Sequence, residues 1–209
     1  REGWVLRLVR LGRIDRRRQI IEAVGNIVAV RGRDGVTIDA IAEKVGLTEG
    51  AIYRHFKNKE QIILGLIEDV ERALLSEVNG SIREGSPALE NLGRILTTLL
   101  DSSDEDAVQR RIVSFTIIAD ALGEDALPIK VRVFELLSNY LQAIRGVLEQ
   151  GINEGMVRPD LDLEAVANTF LGLVQSTITL WTLSERQFSL EARGAQVWDL
   201  CLRGITTET

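Results

Sequence analysis

Residues 37–56 read Thr-Ile-Asp-Ala-Ile-Ala-Glu-Lys-Val-Gly-Leu-Thr-Glu-Gly-Ala-Ile-Tyr-Arg-His-Phe. Ile38, Ile41, Val45 and Ile52 are spaced to weld two short helices together, and Gly46 falls between them. Glycine there suits the left-handed backbone that ends a helix. Ala42, four residues earlier, is small enough for a close helix crossing. Leu47 plugs the space under the turn, and the Thr48 hydroxyl is placed to N-cap the second helix. The pattern predicts one helix from Thr37, a turn at 45–48 and a second helix from Thr48 to about Arg54, meeting at a wide angle.

That packing leaves Thr48, Glu49, Gly50, Tyr53 and Arg54 on the outward face of the second helix. A helix end carrying small and polar groups suits the major groove of DNA. Gly50 and Ala51 let the backbone come close. Thr37 stands where helix N–H groups attract an anion such as phosphate. Tyr53, His55 and Lys59 carry donors on the side that would face a DNA backbone, with Lys59 in the first turn of the next helix. Any two helices joined by a glycine turn share the Ala-x₃-Gly spacing. The Tyr-Arg-His-Phe run and Lys59 are what point to DNA.

The charge distribution agrees. The 209-residue chain has a formal net charge of −6. Residues 1–60 hold 13 Lys and Arg against 8 Asp and Glu, whereas the remaining 149 hold 12 against 23. A basic end on an acidic body is the asymmetry of a chain with one nucleic-acid-facing part.

Around this segment the periodicity is helical throughout. Ile20, Val24, Ile27 and Val28 share one face of a helix that Asp15 is placed to cap and that Gly32 and Gly35 end. A helix from about Asn58 carries Ile63, Leu66, Ile67, Val70 and Leu74. Beyond Ser86-Pro87, helices are predicted at about 87–102, 106–122, 127–154, 162–184 and 188–205. The 127–154 helix should bury Phe134, Leu137, Leu141, Ile144 and Leu148 against its neighbours. The fold expected is all-α with about nine helices. An N-terminal three-helix helix-turn-helix domain at 15–60 is followed by a helical ligand-binding and dimerisation domain at 61–209. Residues 1–14 mix arginines with Trp4, Leu6, Leu8 and Leu11 and lack the features of a signal peptide. They read as an extension without a role or as a basic arm on DNA.

Other functions are poorly supported. The single cysteine, Cys201, excludes an intrachain disulfide and fits a reducing cytosol. With His55 as the one histidine, a His/Cys metal site would lack ligands, and no cofactor is expected. There is no Gly-x-Gly-x-x-Gly, phosphate loop or Gly-x-Ser-x-Gly, and no nucleophile–histidine pair, so an enzyme is not expected. No uncharged apolar run of membrane-spanning length occurs, and a cytoplasmic protein with no membrane partner is expected.

Residues 15–65 resemble the N-terminal domain of the TetR/AcrR family of transcriptional regulators. The matching stretches are Ile41-Ala42, Gly46-Leu47-Thr48, Gly50 to Phe56 and Asn58-Lys59-Glu60. The specific part is Tyr-x-His-Phe-x-x-Lys-Glu. The resemblance implies a homodimer with a DNA-binding head and a ligand-binding body, usually a repressor. It makes Thr37, Thr48, Tyr53, His55 and Lys59 DNA-backbone contacts, and puts Glu49, Gly50 and Arg54 at or near base edges. Glu49 is a departure, because an acid near phosphate is unfavourable unless it accepts from cytosine.

The resemblance further implies a dimer interface built from the last two helices. Val166 and Val174 line one side of the first, and Leu190, Gly194, Val197 and Cys201 line one side of the second. The same stripes would serve as intrachain core. Two-fold symmetry implies a pseudo-palindromic double-stranded operator. An unidentified apolar small-molecule effector would sit among the middle helices and shift the population away from the DNA-binding state. Its candidate walls are Leu96, Leu100, Phe115 and Ile118, with Phe134, Tyr140, Phe170 and Trp181. Aromatics at helical spacing are also ordinary core.

Overall fold

A computed structural model describes the backbone of residues 2–123 and 127–207, and the side chains of residues 16–119, 121 and 127–207. Helix formation begins earlier than a cap at Asp15 predicts. Helix α1 runs Glu2–Arg31, so Asp15 lies inside it. Residues 2–14 are rich in Leu and Arg, strong helix formers, and hold no proline to stop the helix. The arm reading depends on side chains of residues 1–14, which lie outside the described residues. After α1 come a 3₁₀ turn at Arg33–Gly35, α2 (Ile38–Val45), α3 (Glu49–Tyr53), α4 (Lys59–Ser81), α5 (Ala88–Leu99), α6 (Glu105–Gly123), α7 (Leu127–Asn153), α8 (Leu163–Leu183) and α9 (Leu190–Ile205). Among the described residues the only β-type pairing is one isolated bridge, Val157 to Thr206.

The chain forms two compact units, residues 1–71 with 113–133 and residues 72–112 with 134–209. In the first unit, Ile20, Val24 and Val28 of α1 are buried with Ile41, Ile52, Phe56, Ile62 and Ile67. The Thr37 hydroxyl caps α2 by accepting from the Ala40 N–H at 3.1 Å. Gly46 then adopts φ 65°, ψ 38°. Its N–H donates to the Glu43 carbonyl at 3.3 Å and that of Leu47 donates to the Ala42 carbonyl at 2.9 Å. This pair of bonds defines the Schellman ending of a helix. A Cβ at such a φ crowds the following carbonyl, at a cost of roughly 1–2 kcal/mol. Gly46→Ala is therefore expected to destabilise the first unit by about that amount, read as a lowered urea midpoint without a change in slope.

The Thr48 hydroxyl caps α3 by accepting from the Ala51 N–H at 3.3 Å. At the start of α4 the Asn58 Oδ1 accepts from the Gln61 N–H at 2.9 Å, and the Gln61 Oε1 accepts from the Lys57 N–H at 3.1 Å. The two bonds resemble a capping box and satisfy two backbone donors at the start of the helix.

In the second unit Leu92, Ile95 and Leu99 of α5 are buried, as are Leu136, Tyr140, Ile144 and Leu148 of α7. The buried face of α7 differs from the predicted stripe. Phe134 is 71% exposed, and Leu137 and Leu141 are half-buried. Helix α7 carries apolar residues at two overlapping three-and-four spacings, and packing selects the set led by Leu136. Asp162 caps α8 and Ser189 caps α9. A Cβ added at Gly194 would stand 3.0 Å from Leu100 Cδ1, so α9 lies tight on the end of α5. Arg111, with its side chain 4% exposed, donates to the carbonyls of Thr98 and Asp101, each at 2.8 Å, and to Glu77 at 3.0 Å. Arg110 donates to the same carboxylate at 3.1 Å. Burial, with the Glu77 charge adding to it, pushes the Tyr140 hydroxyl far up from its ordinary range.

Candidate nucleic-acid interface

The five residues of α3 are held by what precedes and follows them. Ile52 is fully buried and anchors the helix to the core of the first unit. Phe56, just past its end, is buried as well, and the Arg17 guanidinium lies 4.2 Å over its ring. Arg17 also donates to the His55 carbonyl at 3.3 Å. Residues 52–56 are thereby pinned from the α1 side. No feature of the sequence marks Arg17, because its partners lie some 40 residues away and only the fold joins them.

With that anchoring, Thr48, Glu49, Gly50, Tyr53 and Arg54 are all exposed, Tyr53 by 50%. Thr37 and Lys59 are exposed at the starts of α2 and α4, and His55 is half-buried. Ala51 is buried, so what it offers is its small size rather than a contact of its own. A Cβ on Gly50 would meet nothing within 4 Å. The internal packing therefore does not require glycine there. Thr37 and Thr48 accept from N–H groups in capping their helices, which leaves each hydroxyl hydrogen free to donate outward. Three helix starts, at Thr37, Thr48 and Lys59, thus present donors on one chain segment of the basic end.

The acid on this face has a partner. Glu49 is held above the ordinary carboxylate range by a hydrogen bond with the Asp39 carboxyl and by its negative charge. Two carboxyls on α2 and α3 therefore meet where phosphate is expected. Glu49→Gln is expected to raise affinity for random-sequence duplex a few-fold, measured by fluorescence anisotropy at low salt. Lowering the pH towards the raised range of Glu49 acts with the same sign, since protonation removes the same charge.

The second unit holds a cavity of about 260 Å³ among α5, α7, α8 and α9. Of the eight expected pocket walls, Phe170 lines it. Leu96, Leu100, Tyr140 and Trp181 are buried elsewhere in that unit, Phe134 is exposed, and Phe115 and Ile118 are half-buried in the first unit. The six residues expected at a dimer interface divide differently. Val174, Leu190, Gly194 and Val197 are covered by the chain's own helices, whereas Val166 and Cys201 are half-buried at the cavity. The outward faces of α8 and α9 instead expose Leu180, Leu183 and Leu200. Among the described residues no group of three His, Cys, Asp or Glu side chains is placed to hold a metal ion, and no helix is long and apolar enough to cross a membrane.

Residues 20–66 match the family model described as bacterial regulatory proteins, tetR family, and residues 72–204 match that of the YsiA-like protein, C-terminal region. The chain belongs to the TetR family. It is a DNA-binding transcriptional regulator and not an enzyme. The TetR match spans α2, α3 and the capped start of α4, the segment whose geometry is described above. Among curated relatives, the fatty acid metabolism regulator protein of Bacillus subtilis is 26% identical over 90% of this chain and 94% of its own length. The nucleoid occlusion factor SlmA of a Marinomonas species is 25% identical over 88% of this chain and 89% of its own. Among solved structures, the transcriptional regulator FadR of Bacillus subtilis in complex with stearoyl-CoA superposes with a TM-score of 0.74. It is 25% identical over 90% of this chain and 98% of its own. These TetR-family relatives match along nearly their whole lengths, body as well as head.

Proposed function

We propose that this regulator is a cytoplasmic homodimeric repressor that binds a pseudo-palindromic operator and releases it on binding a long-chain acyl thioester. The division of labour places DNA binding at 15–60 and effector binding and dimerisation at 61–209. The observation that carries the DNA part is the outward set of α3 and its flanks: Thr37, Thr48, Tyr53, His55 and Lys59 for the DNA backbone, with Glu49, Gly50 and Arg54 at the base edges. Two copies related by a two-fold axis would present two such helices to successive major grooves. Leu180, Leu183 and Leu200 give the partner copy an apolar face on α8 and α9.

The effector class is supported by the Bacillus subtilis relative, whose solved complex holds stearoyl-CoA. Release requires that the thioester bind the DNA-free state more tightly than the operator-bound one. The test is selection of bound duplexes from a random library, followed by titration of the selected duplex with stearoyl-CoA. The expected result is a palindromic consensus whose complex dissociates as stearoyl-CoA rises. A consensus without two-fold symmetry would overturn the homodimer, and a complex indifferent to stearoyl-CoA would overturn the effector class while leaving the operator reading intact.

A further inference from the structure

Three successive arginines, Arg16, Arg17 and Arg18, stand exposed in α1, and each is engaged differently. Arg18 is held in an ion pair with Glu22, one turn along the helix, at 2.9 Å. Arg16 donates to the neutral Gln19 Oε1 at 2.8 Å. Of the three, Arg17 is the one whose described partners lie off the helix. Its guanidinium lies 4.2 Å over the Phe56 ring and donates through Nη1 to the His55 carbonyl at 3.3 Å. Helix α4 makes room for that placement. A Cβ at Gly65 would stand 2.9 Å from Ile21 Cδ1 and 3.4 Å from both Arg17 Nη2 and Phe56 Cε1.

Phe56 is buried and Arg17 is exposed, so one face of the guanidinium covers the ring and the rest is open to solvent. A guanidinium carries five N–H donors in one plane, and the His55 carbonyl takes one of them. No carboxylate pairs with Arg17 among the described residues, so its charge is left uncompensated. Stacking on a ring fixes the plane and leaves the donors at its edge available, the geometry that suits a phosphate. The carbonyl that Arg17 grips belongs to residue 55, which stands in the chain between exposed Arg54 and exposed Lys57. A cation on α1 is thereby held against the segment that follows α3.

We infer that Arg17 is a further phosphate contact of the DNA face, so that α1 grips the duplex together with the flanks of α3. This rests on the reading of α3 and its flanks as that face. The ring and the carbonyl hold the side chain before DNA arrives, so less rotamer freedom is lost when a phosphate is taken. Lys57 and Lys59 from two protomers give a salt slope of roughly −3.6, and Arg17 takes it to roughly −5.4.

The test is titration of labelled random-sequence duplex with the full chain at several salt concentrations from roughly 50 to 200 mM. Arg17→Gln is expected to reduce the slope by about 1.8, so that its deficit against the parent narrows about twelvefold across that range. Arg17→Lys keeps the charge and is expected to keep the slope. Arg18→Gln is expected to leave the slope unchanged, because Glu22 already neutralises that cation. If Arg17→Gln binds more weakly but with the parent's slope, Arg17 is only a clamp on Phe56 and His55, and the assignment is overturned. An equal loss of slope in Arg18→Gln would overturn it too, by giving the effect to the charge of α1 at large. Should Arg17→Gln fail to fold by circular dichroism, Lys57→Ala combined with Lys59→Ala leaves Arg17 in place. A residual slope of roughly −1.8 is then expected, and a slope near zero would overturn the role of Arg17. A slope equal to the parent's in that double variant would overturn the lysines instead, and with them the DNA face on which the inference rests.

Discussion

Operator affinity is expected to fall about 150-fold between roughly 50 and 200 mM salt through the lysines beside α3 alone. The argument rests on counting cations rather than on hydrogen bonds in general. Each phosphate neutralised by Lys or Arg releases condensed counterions, and the logarithm of the affinity falls by about 0.9 per neutralised phosphate for each decade of salt. Lys57 and Lys59 are exposed beside α3, whereas Arg54 is read at the base edges. Two protomers therefore bring about four phosphate-neutralising groups, for a slope of roughly −3.6. Lys59→Ala removes one from each protomer and is expected to reduce the slope by about two. Because a phosphate contact carries no sequence information, Lys59→Ala should weaken operator and random duplex alike. The measurement is a titration of labelled duplex at four salt concentrations. A slope that Lys59→Ala leaves unchanged would remove that residue from the DNA face. The hydroxyls of Thr37, Thr48 and Tyr53 lie on the same face but release no counterions, so their loss should shift the affinity without changing the slope.

The legible parts of this site were the ones decided by local chemistry. Gly46 with Thr48 fixes a helix ending and a helix beginning within three residues, and both bonds form where the spacing predicts them. The outward position of Tyr53 follows from Ala51 and Ile52 both being inward, because at about 100° per residue Tyr53 stands roughly 200° round from Ala51. Asn58 and Gln61, three apart, carry the N-terminal signature of the helix whose start is expected near Asn58. The contribution of Arg17 and the meeting of Asp39 with Glu49 depend on distances set by the packing of whole helices, which periodicity does not report. The body was harder for the same reason. Helices α7, α8 and α9 carry more apolar residues than one face can hold, so more than one stripe fits a spacing of three and four. Val174, Leu190 and Val197 prove to be the inward choice, and Leu180, Leu183 and Leu200 the outward one. At Asp15 a good capping residue was overruled by strong helix formers on both sides of it.

Phe56→Ala is expected to destabilise the first unit by about 3–5 kcal/mol, the range for deleting a buried aromatic ring. The ring is 1% exposed. It carries the Arg17 guanidinium on its face and packs near Gly65 of α4, where an added Cβ would stand 3.4 Å from Phe56 Cε1. Its removal leaves a cavity between α1 and α4 and takes away the partner that orients Arg17. Small domains are stable by only about 5–15 kcal/mol, so a loss of this size leaves a measurable fraction of heads unfolded at 37 °C. Apparent DNA affinity falls in proportion to the folded fraction. It falls further because residues 53–55, one to three positions before the ring, lose the anchor that turns Tyr53 outward. Phe56→Leu keeps most of the volume and should recover most of the stability. Urea unfolding of the three proteins, set beside their duplex affinities at one salt concentration, separates the two effects. If Phe56→Leu restores the urea midpoint while its affinity stays low, the ring has a role in placing Tyr53 and His55 beyond holding the head together. If both recover together, Phe56 acts through stability alone. An unchanged midpoint in Phe56→Ala would remove the ring from the core on which the whole reading of α3 depends.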